Sequence, residues 1–219
     1  MTNPFQYEAS IRADKENFDE RLRFGQAGER EITSRLKRAG YNVLEPRLIV
    51  PESGSIPTIS TPSTNLTVAD LFVWRGEVCR WIEVKRKSAF AWYRKKQCWV
   101  TGINRHQYRD YQAIEKNSPW PVWLFLLHDG GFAKGSPFAD SPAGLFGNPL
   151  SYLTANEDHQ APQWGMSGMV YWAIDKLEPL DREANRSMER FNLRQPKKTI
   201  HIVSPEPRRE PEQLLLEGF

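Results

Sequence analysis

Cysteine is scarce in this chain: 219 residues hold only Cys79 and Cys98. So spaced, the two form neither a disulfide framework nor a CxxC metal site, and they suit a reducing, cytoplasmic setting. His106, His128, His159 and His201 show no zinc-type spacing and read as ordinary surface or core histidines. No apolar run approaches the roughly 20 residues needed to cross a bilayer, so no membrane span is expected. Met1 to Ser10 lacks the basic and apolar regions of a secretory leader. A large excess of one charge is missing as well. The 30 Lys and Arg against 27 Asp and Glu leave only +3, so total charge says little about a polyanionic partner. What remains is a globular composition, 39% hydrophobic and 26% charged, sized for one domain with a tail.

The hydrophobic pattern predicts a helix over Phe18–Ala39, with Phe18, Leu22, Gly25, Glu29, Ile32, Leu36 and Ala39 on its inward stripe and Gly40 as its stop. Tyr41–Val50 reads as a strand bent at Pro46, and 51–66 as a long loop. Val68–Trp74 and Val78–Lys85 flank a tight turn and predict an antiparallel hairpin. Ala89–Trp99 reads as a loop or irregular strand, Asn104–Lys116 as a second helix, Pro121–His128 as a strand covered on both faces, and Met169–Ile174 as a further strand. The expected division is an arm over 1–17, a domain over 18–177 with a surface insertion at 129–165, and a charged C-terminal extension over 178–219. The order of elements predicts a mixed α/β chain with a central sheet.

Three carboxylates stand where packing alone would not put them. Glu29 lies on the apolar stripe of the first helix, so it pairs with an arginine across the core, sits on a stripe less buried than its pattern suggests, or binds a cation. Asp70 falls inside a strand pattern that disfavours aspartate, unless it caps a local N–H. In Trp81-Ile82-Glu83-Val84-Lys85, Glu83 and Lys85 share one strand face while Ile82 and Val84 point the other way. Asp70 precedes Glu83 by 13 positions, which a hairpin would bring together. Hard cations such as Mg²⁺ or Mn²⁺ prefer oxygen ligands, so Asp70, Glu83 and the Val84 carbonyl suit a metal, with Glu29 reaching it directly or through water. Lys85 is placed to orient a water or to steady a phosphate.

These residues resemble the PD-(D/E)xK nuclease superfamily, and more narrowly the archaeal Holliday-junction resolvases. In that family a helix carrying Gly-x-x-x-Glu-Arg precedes a Gly-[Tyr/Phe]-x-Val strand; Gly25-Gln26-Ala27-Gly28-Glu29-Arg30 and Gly40-Tyr41-Asn42-Val43 stand in those places. The family aspartate opens the second strand and its Glu-x-Lys closes the third, matching Asp70 and Glu83-Val84-Lys85. A glutamine-bearing helix follows, with Gln107 in that position. The likeness spans residues 20–128; Ala69 replaces a common proline, the loop 51–66 is long, and the stretch beyond 129 has no counterpart. The resemblance implies a restriction-endonuclease-like core, a central mixed sheet flanked by helices, with a C-terminal extension. It also implies a metal set of Glu29, Asp70 and Glu83, a catalytic Lys85, a supporting Gln107, and two-fold dimers on symmetric junctions.

Basic residues crowd the segment after the motif, and Arg86, Lys87, Arg94, Lys95, Lys96 and Arg105 are the expected phosphate contacts. Trp92, Tyr93, Trp99, Tyr108 and Tyr111 either stack on bases or fill the core. Arg182, Arg186, Arg190 and Arg194 give one basic face if that segment is helical. The expectation is a Mg²⁺- or Mn²⁺-dependent deoxyribonuclease acting on DNA, with RNA left open and branched or single-stranded substrates foremost. The alternative is a nucleic-acid- or protein-binding module on an inactive nuclease-like fold. A carbohydrate hydrolase with paired carboxylates leaves Lys85 and the basic run without a reason.

Overall fold

The first helix, α1, runs from Pro4 to Arg38. From Pro4 on, the expected arm is therefore the leading half of this helix, where proline is tolerated because its missing N–H falls in the unbonded first turn. In the computed structural model, residues 4–48, 57–62, 65–162 and 167–193 are described, with the backbone alone for 4–17. Gly40 stops the helix at φ +83°, and the Tyr41 N–H closes back on the Leu36 carbonyl at 3.1 Å. The inward stripe is inward only in the second half. Ile32 is fully buried, whereas Phe18 and Leu22 are 64% and 42% exposed.

Strand β1 (Asn42–Leu44) is shorter than expected. At Pro46 the chain enters a 3₁₀ turn, Pro46–Leu48, since proline cannot donate to the sheet. Within the stretch read as a loop, β2 (Thr58–Ser60) and β3 (Asn65–Thr67) form a small hairpin. The predicted hairpin is present as β4 (Leu71–Arg75) and β5 (Val78–Lys87), with Leu71 opposite Ile82. A second hairpin, β6 (Ala91–Tyr93) and β7 (Cys98–Asn104), replaces the irregular segment. Helix α2 (Arg105–Asn117) leads to β8 (Val122–Asp129), which lies parallel to β5.

The stretch 129–165 is not a surface insertion. It supplies β9 (Ala143–Pro149), α3 (Leu150–Ala155) and β10 (His159–Ala161), and it buries Leu145, Phe146, Leu150 and Leu153. After β11 (Met169–Ala173), the first part of the expected extension also joins the body. Strand β12 (Glu178–Pro179) pairs with β9, and α4 (Arg182–Arg190) buries Ala184 and Met188, its start capped by Asp181 accepting from the Ala184 N–H at 2.7 Å. The basic face is therefore helical from Arg182 to Arg190, while Arg194 and the terminal leucines lie outside the described residues.

The result is the expected mixed α/β architecture, a central mixed sheet flanked by helices. Six strands run in the order β1-β4-β5-β8-β9-β12, with β5–β8 the one parallel pair among them, and four more run β10-β11-β7-β6. Period-two alternation divides the central sheet between two cores. Leu71, Val73, Ile82, Val84, Phe125 and Leu127 face Ile32 of α1. Trp81, Leu124, Leu126 and Phe146 pack with Tyr108, Tyr111 and Ile114 of α2 and with Trp172 of the second sheet. Each such side chain stabilises the fold by about 1.5–3 kcal/mol on burial. Glu83, Lys85 and Lys87 are thereby fixed on the α2 side of β5.

Candidate carboxylate–lysine site

Asp70 stands one residue ahead of β4, so the β4–β5 register carries it beside Glu83 and Val84. Its Oδ2 accepts from the Val84 N–H at 3.0 Å. Asp70 and Glu83 are only 5% and 1% exposed. Burial first, and the Glu83 charge second, push the Asp70 pKa up to about 8. Two like charges in a dry pocket are costly, and a proton retained on Asp70 relieves them.

Lys85 forms an ion pair with Glu83 Oε1. Burial works against its charge, but Glu83 and Asp70 outweigh that and hold the ammonium above its ordinary pKa. The other Glu83 oxygen, Oε2, is buried without a hydrogen-bond partner. Tyr111 of α2 faces this carboxylate, and burial together with Glu83 drives its phenol far above the usual range. Tyr111 thus acts as a neutral wall of the pocket, which leaves it unavailable as a base-stacking surface.

Glu29 meets an arginine, the first of its expected alternatives. Arg47 reaches from the 3₁₀ turn after β1 and spans two acids, with Nη1 3.2 Å from Glu29 Oε1 and Nη2 3.0 Å from Asp70 Oδ1. The guanidinium thus lies between Glu29 and the Asp70–Glu83 pair. Among the described residues no three His, Cys, Asp or Glu side chains converge to hold a metal. The donor set for a hard cation is therefore the two carboxylates and the Val84 carbonyl, with Glu29 tied through Arg47. The orphaned Glu83 Oε2 and the converging carboxylates are oxygen donors of the kind such a cation takes.

Arg47 and Tyr111 are the functional residues that sequence reasoning did not assign. For Arg47 the only signal was the demand of Glu29 for a partner. Gln107 is half-buried one turn ahead of Tyr111 on α2. The expected phosphate contacts divide. Arg86 is engaged by Asp129 at 3.1 Å and lies over the Phe24 ring at 4.7 Å, and the Lys87 ammonium is enclosed and donates to the Gly102 carbonyl. Burial, then Lys85, brings the Lys87 pKa down to about 8. Lys96 pairs with Asp158 at 2.6 Å, Arg94 and Lys95 are exposed, and Arg105 opens α2 half-buried. Most of the aromatic candidates are structural: Trp92 and Trp99 pack edge-on at 4.8 Å, Tyr93 stacks on His159 at 4.1 Å, and Tyr108 donates to Glu157 at 2.6 Å.

No protein-family model matches the chain, and no curated protein does. Among solved structures it is similar to that of Archaeoglobus fulgidus Hjc, a Holliday junction resolvase from an archaeal hyperthermophile. The identity is 13% over 67% of this chain and 86% of that one, with a TM-score of 0.38.

Proposed function

We propose that this chain is a metal-dependent nuclease that hydrolyses phosphodiester bonds in DNA at the Asp70–Glu83–Lys85 cluster. The observation that carries this reading is the convergence of two buried carboxylates, one just ahead of β4 and one on β5, with a charged lysine beside them and one carboxylate oxygen without a hydrogen bond. Asp70, Glu83 and the Val84 carbonyl are the groups that would hold Mg²⁺ or Mn²⁺, and Glu29 would join them once Arg47 lets go. Bound there, a hard divalent cation supplies charge neutralisation for the phosphate and an activated water.

The chain's own residues supply the rest. Asp70 would give up its proton on binding the cation, so loading would weaken as pH falls below about 8. Lys85 presents a fixed ammonium to a phosphate oxygen at the pocket wall, where low dielectric strengthens the interaction. Tyr111 and the surrounding core exclude bulk water. A two-fold dimer matched to a symmetric junction belongs to the same proposal, and light scattering on the free protein tests it.

One observation favours a second reading. Arg47 already neutralises part of the acid cluster, as a resident cation would in a binding module that no longer cuts. Cleavage of labelled single-stranded, duplex, flap and four-way-junction DNA, and of RNA, in Mg²⁺, Mn²⁺ or EDTA separates the two. Metal-dependent cutting by the wild type, reduced at least a hundredfold in Lys85→Ala (about 2.7 kcal/mol), supports the nuclease. Binding without cutting of any substrate supports the module.

A further inference from the structure

The carboxylate cluster is not the only charged feature beside α1. On the outer side of the same helix lies an open groove of about 540 Å³ lined by Arg30, Thr33, Ser34, Lys37, Arg38 and Glu45. The four- and three-residue steps from Arg30 to Ser34, Lys37 and Arg38 put them on one helical face. Three cations therefore meet one carboxylate. Lys37 lies 3.6 Å from Glu45, while Arg30 and Arg38 enter no ion pair among the described residues. Thr33, 6% exposed, forms the floor, and its hydroxyl finds no hydrogen-bond partner.

The groove is joined to the site by the chain itself. Arg30 follows Glu29 on α1, and Glu45 precedes the turn from which Arg47 reaches Glu29 and Asp70. An extended anion lying along α1 would pass from the groove to the carboxylates across the Glu45–Arg47 turn. A small anion would satisfy only part of the cation row, whereas a polymer with regularly spaced phosphates would use its whole length.

We propose that this groove is a second phosphate-binding subsite, which holds the backbone of a nucleic-acid strand away from the bond that is cut. The inference deepens the nuclease reading and rests on its nucleic-acid substrate, though not on cleavage. Interactions of this kind position the strand and carry no base specificity. Removal of one phosphate-binding cation lowers affinity about fivefold at 0.15 M salt and reduces the salt slope by about 0.7–0.9.

The test is fluorescence anisotropy of a short labelled oligonucleotide, single-stranded and duplex, titrated with full-length protein in EDTA across a range of salt. Arg30→Gln/Lys37→Gln/Arg38→Gln is expected to bind about a hundredfold more weakly at 0.15 M salt, with a slope lower by about two to three. Glu45→Gln, which removes the opposing charge, is expected to bind severalfold more tightly. Arg182→Gln/Arg186→Gln, which removes two exposed cations on α4, controls for overall charge and is expected to change binding far less. Wild-type affinity and slope in the triple variant would overturn the subsite, as would an α4 variant that weakens binding as much. Absence of any oligonucleotide binding by the wild type overturns it too. A triple variant that loses binding while the wild type cuts nothing leaves the subsite standing and removes the nuclease; normal cutting and binding by the triple variant does the reverse.

Discussion

Replacing Asp70 by asparagine separates a site held for a ligand from an ion pair held for stability. Asp70 carries a proton at pH 7, because its pKa is pushed up to about 8 by burial and by Glu83. Asparagine therefore replaces a neutral acid of the same shape, and its carbonyl can still accept from the Val84 N–H. The interaction with Arg47 weakens, but that side chain is half exposed and free to turn outward. In EDTA at pH 7 the expected loss is within about 1 kcal/mol. Metal should tell the two proteins apart. At a hundred times its dissociation constant a cation stabilises the wild type by about 2.7 kcal/mol, which for a chain of this size is roughly 5–10 °C in midpoint. The gain should be larger at pH 8.5 than at 6.5, since below about 8 the Asp70 proton competes for the same oxygens. Thermal unfolding of wild type, Asp70→Asn and Glu83→Gln in EDTA, MgCl₂ and MnCl₂ provides the measurement. Either variant should remove most of the metal shift. The reasoning fails if Asp70→Asn loses 3 kcal/mol or more in EDTA, as a broken buried ion pair would, or if both variants keep the full metal response.

Arg47→Met withdraws the guanidinium between Glu29 and Asp70. Metal-free stability at pH 8 is expected to fall by about 1–3 kcal/mol from unrelieved repulsion, while the Mg²⁺-induced midpoint shift grows; a smaller shift would make Arg47 a positioning residue for Glu29 and not a competitor. His128 stacks on Phe90 at 3.6 Å, and neither of its ring nitrogens meets a hydrogen-bond partner. Burial, then Lys87, holds its pKa well below the ordinary 6.5. The unfolded chain therefore takes up a proton below about pH 6.5 that the fold refuses, and stability from this residue is lost as pH falls, at about 1.4 kcal/mol per unit. Asp70 works in the opposite direction between about 8 and 4, so His128 is read from the difference between wild type and His128→Phe. That variant should gain about 1–3 kcal/mol at pH 7.5 from removing unpaired polar atoms, and its advantage should widen toward pH 5. An advantage that does not change with pH would refute this account.

The parts of the fold legible in the sequence are those where a period runs uninterrupted. Val73, Ile82 and Val84 alternate with polar or aromatic neighbours, so the β4–β5 hairpin and the shared face of Glu83 and Lys85 could be read from spacing. The apolar run of β8 likewise announced a strand covered on both sides. Strand β9 was hidden by its glycines. A Cβ at Gly147 would collide with the Leu124 carbonyl, and one at Gly144 with the backbone of Ala184. The tight packing of β9 against β8 and α4 thus requires residues that, in a bare sequence, mark loops. On α1 the error had the other sign. Phe18 and Leu22 continue a faultless helical stripe, yet burial depends on what lies opposite, and of that stripe Ile32 and Leu36 pack on the apolar face of the central sheet.

The site divides along the same line. Asp70 directly precedes β4 and Glu83 and Lys85 lie on β5, and a two-residue periodicity with a short turn was enough to bring them together. Arg47 comes from a turn after a proline, where no periodicity constrains direction, and its two carboxylate partners lie 18 and 23 residues away on opposite sides in sequence. What the sequence did contain was a charge imbalance. Glu29 on a buried stripe needs a positive partner, and one side chain or one cation can supply it. Arg47 shows that the protein supplies one. With Lys85 on Glu83, Arg47 on Glu29 and a proton on Asp70, the cluster balances in charge, yet Glu83 Oε2 accepts no hydrogen bond and Arg47 is half exposed. A half-exposed guanidinium and an acid proton are both positive charges that a divalent cation could displace. On the proposed metal-dependent reading, a divalent cation would therefore bind by exchange, displacing one guanidinium and one proton.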